Sequence, residues 1–452
     1  MSLARAALLC LALVAFADVR ADDDPWRIPT PDACRTEPAR LLTPPPPGKD
    51  APPVTPPMPG DSIGAESAAR LRDFLPPEIW EKRERFFYDG MHMKIGPCFR
   101  DYSPPEFFSQ ATRELSAGVT LDAEGTLHGH KAGLPFPPAS LSPDDPDAGL
   151  KWAWNAVSSY NAAGKFGSIQ ISLVNEKGVA EQWRGDYFQL DARGRADRPS
   201  DGYAYAADAT AAWIAGGVTR NLRTGNECAF RQFQNGGRKP DLFMASSHSR
   251  KIARVPPPDS EYPLTGCIID AAVEGGGLFI HGFEPRLHRW KVRGVADVLA
   301  PINASKPNWP VAKDRNYGPW GISFADDRWE LRRVIVLEGE LREGKFEDNT
   351  QRFTWYLDLQ TLQLLYYAGF KANGDAQGVG YWVRRWSEDS PDYPRWSDDP
   401  ERPVRALDVI GSALVDWGAQ HAVRADTGDA VAVPKDDAKL RRQLSIGSAR
   451  VH

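Results

Sequence analysis

The residues best suited to acid–base or metal chemistry near neutrality are the eight histidines, and their surroundings decide whether they perform any. His128 and His130 flank Gly129, so on an extended chain both rings would leave one face, as two metal ligands would. No third ligand is signposted beside them, and ordinary polar roles are the reading adopted. His248 sits in Ser246-Ser-His-Ser249, while His281, His288 and His421 are scattered. A Ser–His–acid triad wants its serine on a sharp turn of the GxSxG kind, and that pentapeptide does not occur. Gly275–Gly277 precede Leu278-Phe-Ile280, a strand pattern rather than a helix start, so they predict a hairpin turn instead of a phosphate cradle. Asp144-Asp-Pro-Asp147 lacks the glycine and closing glutamate of a calcium loop. The run Ser249-Arg-Lys-Ile-Ala-Arg254 could meet an anionic lipid, but its three cations fit a solvated strand edge better. These groups assemble no catalytic constellation, and the chain reads as a non-enzyme without metal or cofactor.

What the chain carries in excess is aromatic surface. It has 15 Trp at a mean hydropathy of −0.46, a load that suits large sheets, amphipathic cavities and contact surfaces. Three runs must position much of it: Arg328–Glu338, Arg352–Gln360 and Leu362–Phe370, separated by Gly339–Asn349 and by the Asp358–Thr361 corner. Their β-branched and aromatic content with period-2 alternation predicts a β-meander. Phe353, Trp355 and Leu357 point one way; Thr354, Tyr356 and Asp358 point the other; Leu362, Leu364, Tyr366 and Ala368 share a face. Both faces carry large apolar groups, so the sheet is expected to be covered on both sides. Arg332 and Arg333 then point to opposite faces, and the inward one needs a partner, Glu330 or Asp358, with Glu330 favoured by its spacing.

Around the meander, helices group at the front and strands follow. Asp61–Leu71, a stretch opening at Pro76, Pro104–Leu115 and Gly149–Asn161 read as helices, and Val119–Leu127 as a hairpin. Strands are expected at Ser168–Val174, Gln182–Gln189, Thr210–Thr219, Asp241–Ser246, Lys251–Arg254, Gly277–Ile280, Leu287–Val292 and Tyr381–Trp386. Val404–Val423 reads as a strand and a helical turn. The pattern is α+β on a large antiparallel sheet. Residues 1–21 read as a cleavable export signal: Arg5, the apolar run Ala6–Phe16, and Val19-Arg-Ala21 before the cut. Residues 22–60 form a proline-rich extended segment, 61–425 the body, and 426–452 a mobile tail. Cys34, Cys98, Cys228 and Cys267 remain after cleavage. In an oxidising compartment their even count favours disulfides, and Cys34–Cys98 with Cys228–Cys267 are preferred because each pair lies within one region. Buried free thiols are the alternative. A formal net charge of −5 argues against a nucleic-acid partner.

Several motifs carry a resemblance. Gly133-Leu-Pro-Phe-Pro137 with Gly149 and Trp154-Asn155, then Asp241-Leu-Phe243 and Ser249–Pro256, then Arg289–Asn303, Arg332–Glu338 and Phe353–Asp358, occur in the order found in an exported bacterial family. Over about Asp61 to Trp386 the chain resembles the domain of unknown function 1329, outer-membrane lipoprotein-sorting-like and similar to the Lol carriers. Phe243-Met-Ala-Ser-Ser-His stands where that family tends to have a Tyr-x-Pro turn, and Ala300-Pro-Ile-Asn303 where it tends to have Pro-Tyr-Asn. The resemblance implies an incomplete β-barrel, a large twisted antiparallel sheet closed by helices, with an apolar cavity between. It implies a periplasmic non-enzymatic carrier or chaperone for a lipid or other hydrophobic molecule. Members look associated with resistance-nodulation-division-type transporters and outer-membrane proteins. In that fold Phe353, Trp355 and Leu357, with Leu364 and Tyr366 on the next strand, would line the ligand space, and Trp154 would cap it. The alternatives are a ligand-free structural adaptor for an envelope transporter and, third, a hydrolase using loop His and Asp residues.

Overall fold

The computed structural model describes residues 26–30, 55–87, 91–142, 144–191, 195–197, 213–234, 241–246, 252–255, 284–304, 328–342 and 350–435. The signal segment, Cys34, Cys267, His248, His281, Gly275–Gly277, the expected strand Gly277–Ile280, Ser249-Arg-Lys251 and residues 436–452 lie outside them. β1 (Ser62–Gly64) and β2 (His92–Ile95) bracket a 3-10 stretch, Ala65–Phe74, and two single-turn helices, α1 (Pro77–Trp80) and α2 (Arg83–Phe86). Then come α3 (Glu106–Leu115), a small hairpin of β3 (Thr120–Leu121) and β4 (Leu127–His128), and α4 (Ala148–Val157). β5 (Gly164–Asn175), β6 (Gly178–Asp191), β7 (Trp213–Asn221), β8 (Glu227–Gln234), β9 (Asp241–Ser246) and β10 (Ala253–Val255) follow. The rest is β11 (His288–Asn303), β12 (Arg328–Leu341), β13 (Arg352–Asp358), β14 (Leu364–Phe370), β15 (Ala376–Trp386), β16 (Leu407–Asp416) and β17 (His421–Thr427). No helix among the described residues is long and apolar enough to cross a membrane.

All but two of these strands join one sheet, ordered β1-β2-β12-β13-β14-β15-β16-β17-β5-β6-β7-β8-β9-β10, with β11 on β12. Neighbours run antiparallel except β2 against β12, so the sheet is mixed, and it does not close on itself. Two expectations need correcting here. Val404–Val423 holds no helical turn: it gives β16 and the start of β17, which turn through Gln420 at φ 57° and pair from Gly411–Asp426 to Asp416–His421. Nor does the body end at residue 425. β17 pairs β5 through Thr427, and Val431 bridges Phe166, so Ala430–Val433 are buried. The segment looked like a tail because its partner strand lies some 250 residues away, invisible to local pattern.

The sheet is covered on both sides, as the alternation required. One face carries Val334, Val336, Tyr356, Tyr366 and Ala368, packed on the N-terminal pieces through Ile63, Leu71, Ile79, Phe86 and Met93. The other carries Ile335, Leu337, Phe353, Trp355, Leu357 and Leu364, packed on Trp152, Ala153 and Ala156 of α4 with Trp26, Ile28, Leu134 and Leu141. A third cluster, around Phe166, Phe188, Tyr393, Trp396 and Val431, closes one end. Arg332 is 1 % exposed and Nε donates to Asp358 at 2.7 Å, so the buried guanidinium has its carboxylate. Glu330 does not supply it: its carboxylate takes up Tyr102 and Asn303 instead. Arg333, on the opposite face, makes a bidentate pair with Asp297 at 2.9 and 3.0 Å.

Candidate functional site

The aromatic layer is built by register. Leu337 pairs Trp355 and Ile335 pairs Leu357, so Phe353, Trp355 and Leu357 share the face that α4 covers. Gly339 lies opposite Phe353, and a Cβ there would come within 2.4 Å of its ring; only glycine lets the ring lie flat over the strand. Trp290 of β11 completes the layer at 4.8 Å from Trp355 and 5.5 Å from Phe353, while Tyr367 stacks on Phe353 at 5.9 Å. Above them Trp26 stacks on Trp152 at 6.1 Å, and Arg333 donates to the Arg27 carbonyl at 2.8 Å, tying residues 26–30 to the sheet.

Four of the six residues expected to line a ligand space are therefore together: Phe353, Trp355, Leu357 and Leu364. Tyr366 is not. Tyr356 pairs Tyr366 but Leu357 pairs Leu364, so Leu365 is an extra residue, and the bulge moves Tyr366 to the opposite face, where its hydroxyl bonds the Leu299 carbonyl. Trp154 is not either. Its indole N–H donates to the Gly125 carbonyl at 3.0 Å, and Trp152 takes the inward position. A helix turns about 100° per residue, so the phase of α4 decides between the two. Gly149 sets it, because a Cβ there would meet the Trp290 backbone at 2.8 Å. Trp26, Trp152 and Trp290 were missed as layer residues; the aromatic count flagged them as a class without placing them. The four aligned residues are 0–1 % exposed, so the layer is filled.

Concave space lies at the end of this layer. A cleft of about 370 Å³, counted out to its open mouth, forms where the three apolar clusters meet. Leu134 and Leu362 reach it from the aromatic layer, Tyr102, Trp386 and Leu407 from the opposite face, and Tyr160 from the third cluster. The space in it that water centres can occupy is about 30 Å³, room for one or two waters. Two wall residues, Leu362 at φ 56° and Arg405 at φ 45°, hold left-handed backbone without being glycine. Phe99 and Ala162, at 49° and 48°, do so within three residues of Tyr102 and Tyr160. Such conformations cost on the order of 1–3 kcal/mol each and persist where surroundings enforce them. Here the enforcing group at Leu362 is the Asp358 corner, whose carboxylate accepts from Gln360 N, Thr361 N and the Thr361 hydroxyl while pairing Arg332.

The polar atoms of the wall are occupied by one another. Gln360 accepts from Tyr102 N at 2.9 Å and Arg332 at 3.0 Å, and donates to Asp101 and Ser103. Gln363 donates to Ser159 and the Tyr160 carbonyl and accepts from Arg384 at 2.9 Å. Arg405 donates to the Ser103 carbonyl at 2.9 Å and reaches Asp101 and Glu388 only at 3.4 Å. Burial raises the Glu330 carboxyl despite the donors around it, and burial pushes His288 down to about 4. None of this poises a nucleophile beside a base; what the cleft offers an occupant is apolar contact. The histidine pair separates too: His128 bonds Asp122 and His130 the Gly133 carbonyl, each at 2.8 Å. Among the described residues no group of three or more His, Cys, Asp or Glu is placed to hold a metal. Cys98 and Cys228 are buried, and the pairings expected for them involve residues outside those described.

The model of the family described as "Protein of unknown function (DUF1329)" matches residues 62–397. No curated protein matches the chain. Among solved structures, a putative outer membrane lipoprotein-sorting protein domain from Vibrio parahaemolyticus is 11 % identical at a TM-score of 0.39, covering 67 % of this chain and all of that one. A DUF1329 family protein from Desulfovibrio piger is 8 % identical at 0.42, covering 68 % and all of its own length. A LolA superfamily protein from Nitrosomonas europaea is 7 % identical at 0.32, covering 63 % and 92 %.

Proposed function

The chain belongs to the DUF1329 family, and from that premise and the site's geometry we propose that it is a non-enzymatic periplasmic carrier holding a lipid or other hydrophobic molecule between the sheet and its cover. In this reading the open sheet is an incomplete barrel, and α4 with the N-terminal pieces closes it. One observation carries the proposal: the cleft opens at the end of the aromatic layer, with Leu134 and Leu362 belonging to both. A hydrocarbon chain entering there would run on under α4, whose cover is made of short separate pieces able to lift. Each apolar Å² removed from water contributes roughly 25 cal/mol. Leu134→Trp would block the mouth at the surface of the layer. The wild type should bind a fluorescent fatty-acyl probe and co-purify with lipid by native mass spectrometry; the Trp variant should fold normally and lose both. A wild type that neither carries lipid nor binds the probe ends the carrier reading.

The filled state of the layer favours a second reading, a ligand-free structural adaptor for an envelope transporter. The transporter of the resistance-nodulation-division type and the outer-membrane partner belong to the proposal on either reading, and co-purification from envelope extracts tests them. The bridges Cys34–Cys98 and Cys228–Cys267 are likewise proposed, supported by the even count of cysteines outside the signal segment.

A further inference from the structure

Where the sheet passes from the meander to β5 and β6, its interior turns polar. Lys165 and Gln189 are direct partners in the β5–β6 register, so their side chains leave the same face, and both are buried, 5 % and 0 % exposed. Arg384 of β15 is 3 % exposed, and its charge reaches Lys165. Its Nη atoms donate only to neutral oxygens: Gln363 Oε1 at 2.9 Å, the Leu364 carbonyl at 2.8 Å and the Leu407 carbonyl at 3.3 Å. The nearby carboxylate of Asp408 already takes Arg385 at 3.2 Å and the Tyr393 hydroxyl at 2.6 Å. Asp191, which also acts on Lys165, is partly exposed at the end of β6.

Against this background three buried polar atoms have no hydrogen-bond partner: Nε of Arg384 and both amide atoms of Gln189. Leaving such atoms bare is costly, and native chains rarely do so unless another species completes them. The donors on offer are a guanidinium N–H and an amide NH₂, beside a buried ammonium. They match an oxyanion. Ile169, on the same face of β5, belongs to the aromatic layer's cluster, so apolar surface adjoins this polar end.

We infer that Lys165, Gln189 and Arg384 form the head-group site for an anionic amphiphile, a carboxylate or phosphate with a hydrocarbon tail lying along the apolar layer. This rests on the carrier reading, and it narrows the ligand class from any hydrophobic molecule to those with one anionic oxygen head.

Three probes of equal chain length test it by calorimetric or fluorescence competition: palmitate, hexadecyl phosphate and uncharged hexadecanol. The wild type should bind at least one anion about tenfold or more tighter than hexadecanol, and which anion wins identifies the head. Gln189→Leu should weaken the anion about tenfold and leave hexadecanol unchanged. Gln189→Glu, nearly isosteric, should reject anions while far-ultraviolet circular dichroism shows the sheet retained, which separates lost binding from lost folding. Equal affinity for all three probes overturns the head-group site and leaves the carrier standing. So does anion binding that neither variant alters, which would mean that water alone completes Gln189. Binding of none of the three overturns the carrier reading itself, and the head-group site with it.

Discussion

Replacing Lys165 by Met removes a buried charge while keeping a chain of similar length. Burial, seconded by the charge of Arg384, brings the ammonium from 10.5 down to about 7, although Asp408 and Asp191 pull the other way. In the unfolded chain the lysine keeps its proton up to about 10.5, whereas folded it releases it above about 7. Between these limits the unfolded state binds more protons, so the lysine's contribution to stability rises with pH through that window. Below pH 7 both states are protonated and the full cost of burial is present; above 10.5 both are neutral and it vanishes. Each pKa unit corresponds to about 1.4 kcal/mol, so the gap in pKa sets a ceiling of about 5 kcal/mol. Met also gives up the lysine's attraction to Asp408 and Asp191, so we expect a gain of roughly 2–4 kcal/mol at pH 6. The gain should shrink steadily at pH 8 and pH 10. Urea unfolding of both proteins at the three pH values reads this directly, since every other titrating group is common to the pair. A variant less stable than wild type by the same amount at all three values would refute the reasoning, because Lys165 would then be a fully compensated structural cation.

Asp358→Asn strips the carboxylate from the buried Arg332 and loosens the corner that holds Leu362; thermal or urea unfolding should show a loss of about 3–5 kcal/mol. Glu330→Gln keeps an oxygen for Tyr102 and Asn303, and the same measurement should show a cost under about 1 kcal/mol. Trp355→Ala opens a void under Trp290 and Phe353 and should cost about 3–5 kcal/mol; a much smaller loss, with lipid binding abolished, would mean that the layer parts readily for its ligand. Non-reducing peptide mapping should recover Cys34 joined to Cys98 and Cys228 joined to Cys267; any other pairing, or alkylated thiols, rejects those bridges.

The sequence by itself determined what is local. Alternation placed Phe353, Trp355 and Leu357 on one face and Tyr356 on the other, since β13 pairs β12 without interruption and period 2 needs nothing else. It also required two-sided covering and a partner for a buried arginine, because both follow from residue chemistry wherever the strand lies. Tertiary structure decided whatever depends on a neighbour distant in the chain. The extra residue Leu365 is a property of the β13–β14 pairing, so the face of Tyr366 was not legible along β14 alone. Both Trp152 and Trp154 fit an amphipathic helix, and the close approach of Gly149 to Trp290 chose between them. Asp358 rather than Glu330 holds Arg332, because Tyr102 and Asn303 arrive from other segments to occupy Glu330. The cleft had no sequence signal: Tyr102, Leu134, Tyr160, Leu362 and Arg405 come from five separate connecting segments that only the assembled sheet brings to one place. Chain order encodes propensity and period; register, phase and the meeting of loops are set by the free energy of the whole packed arrangement.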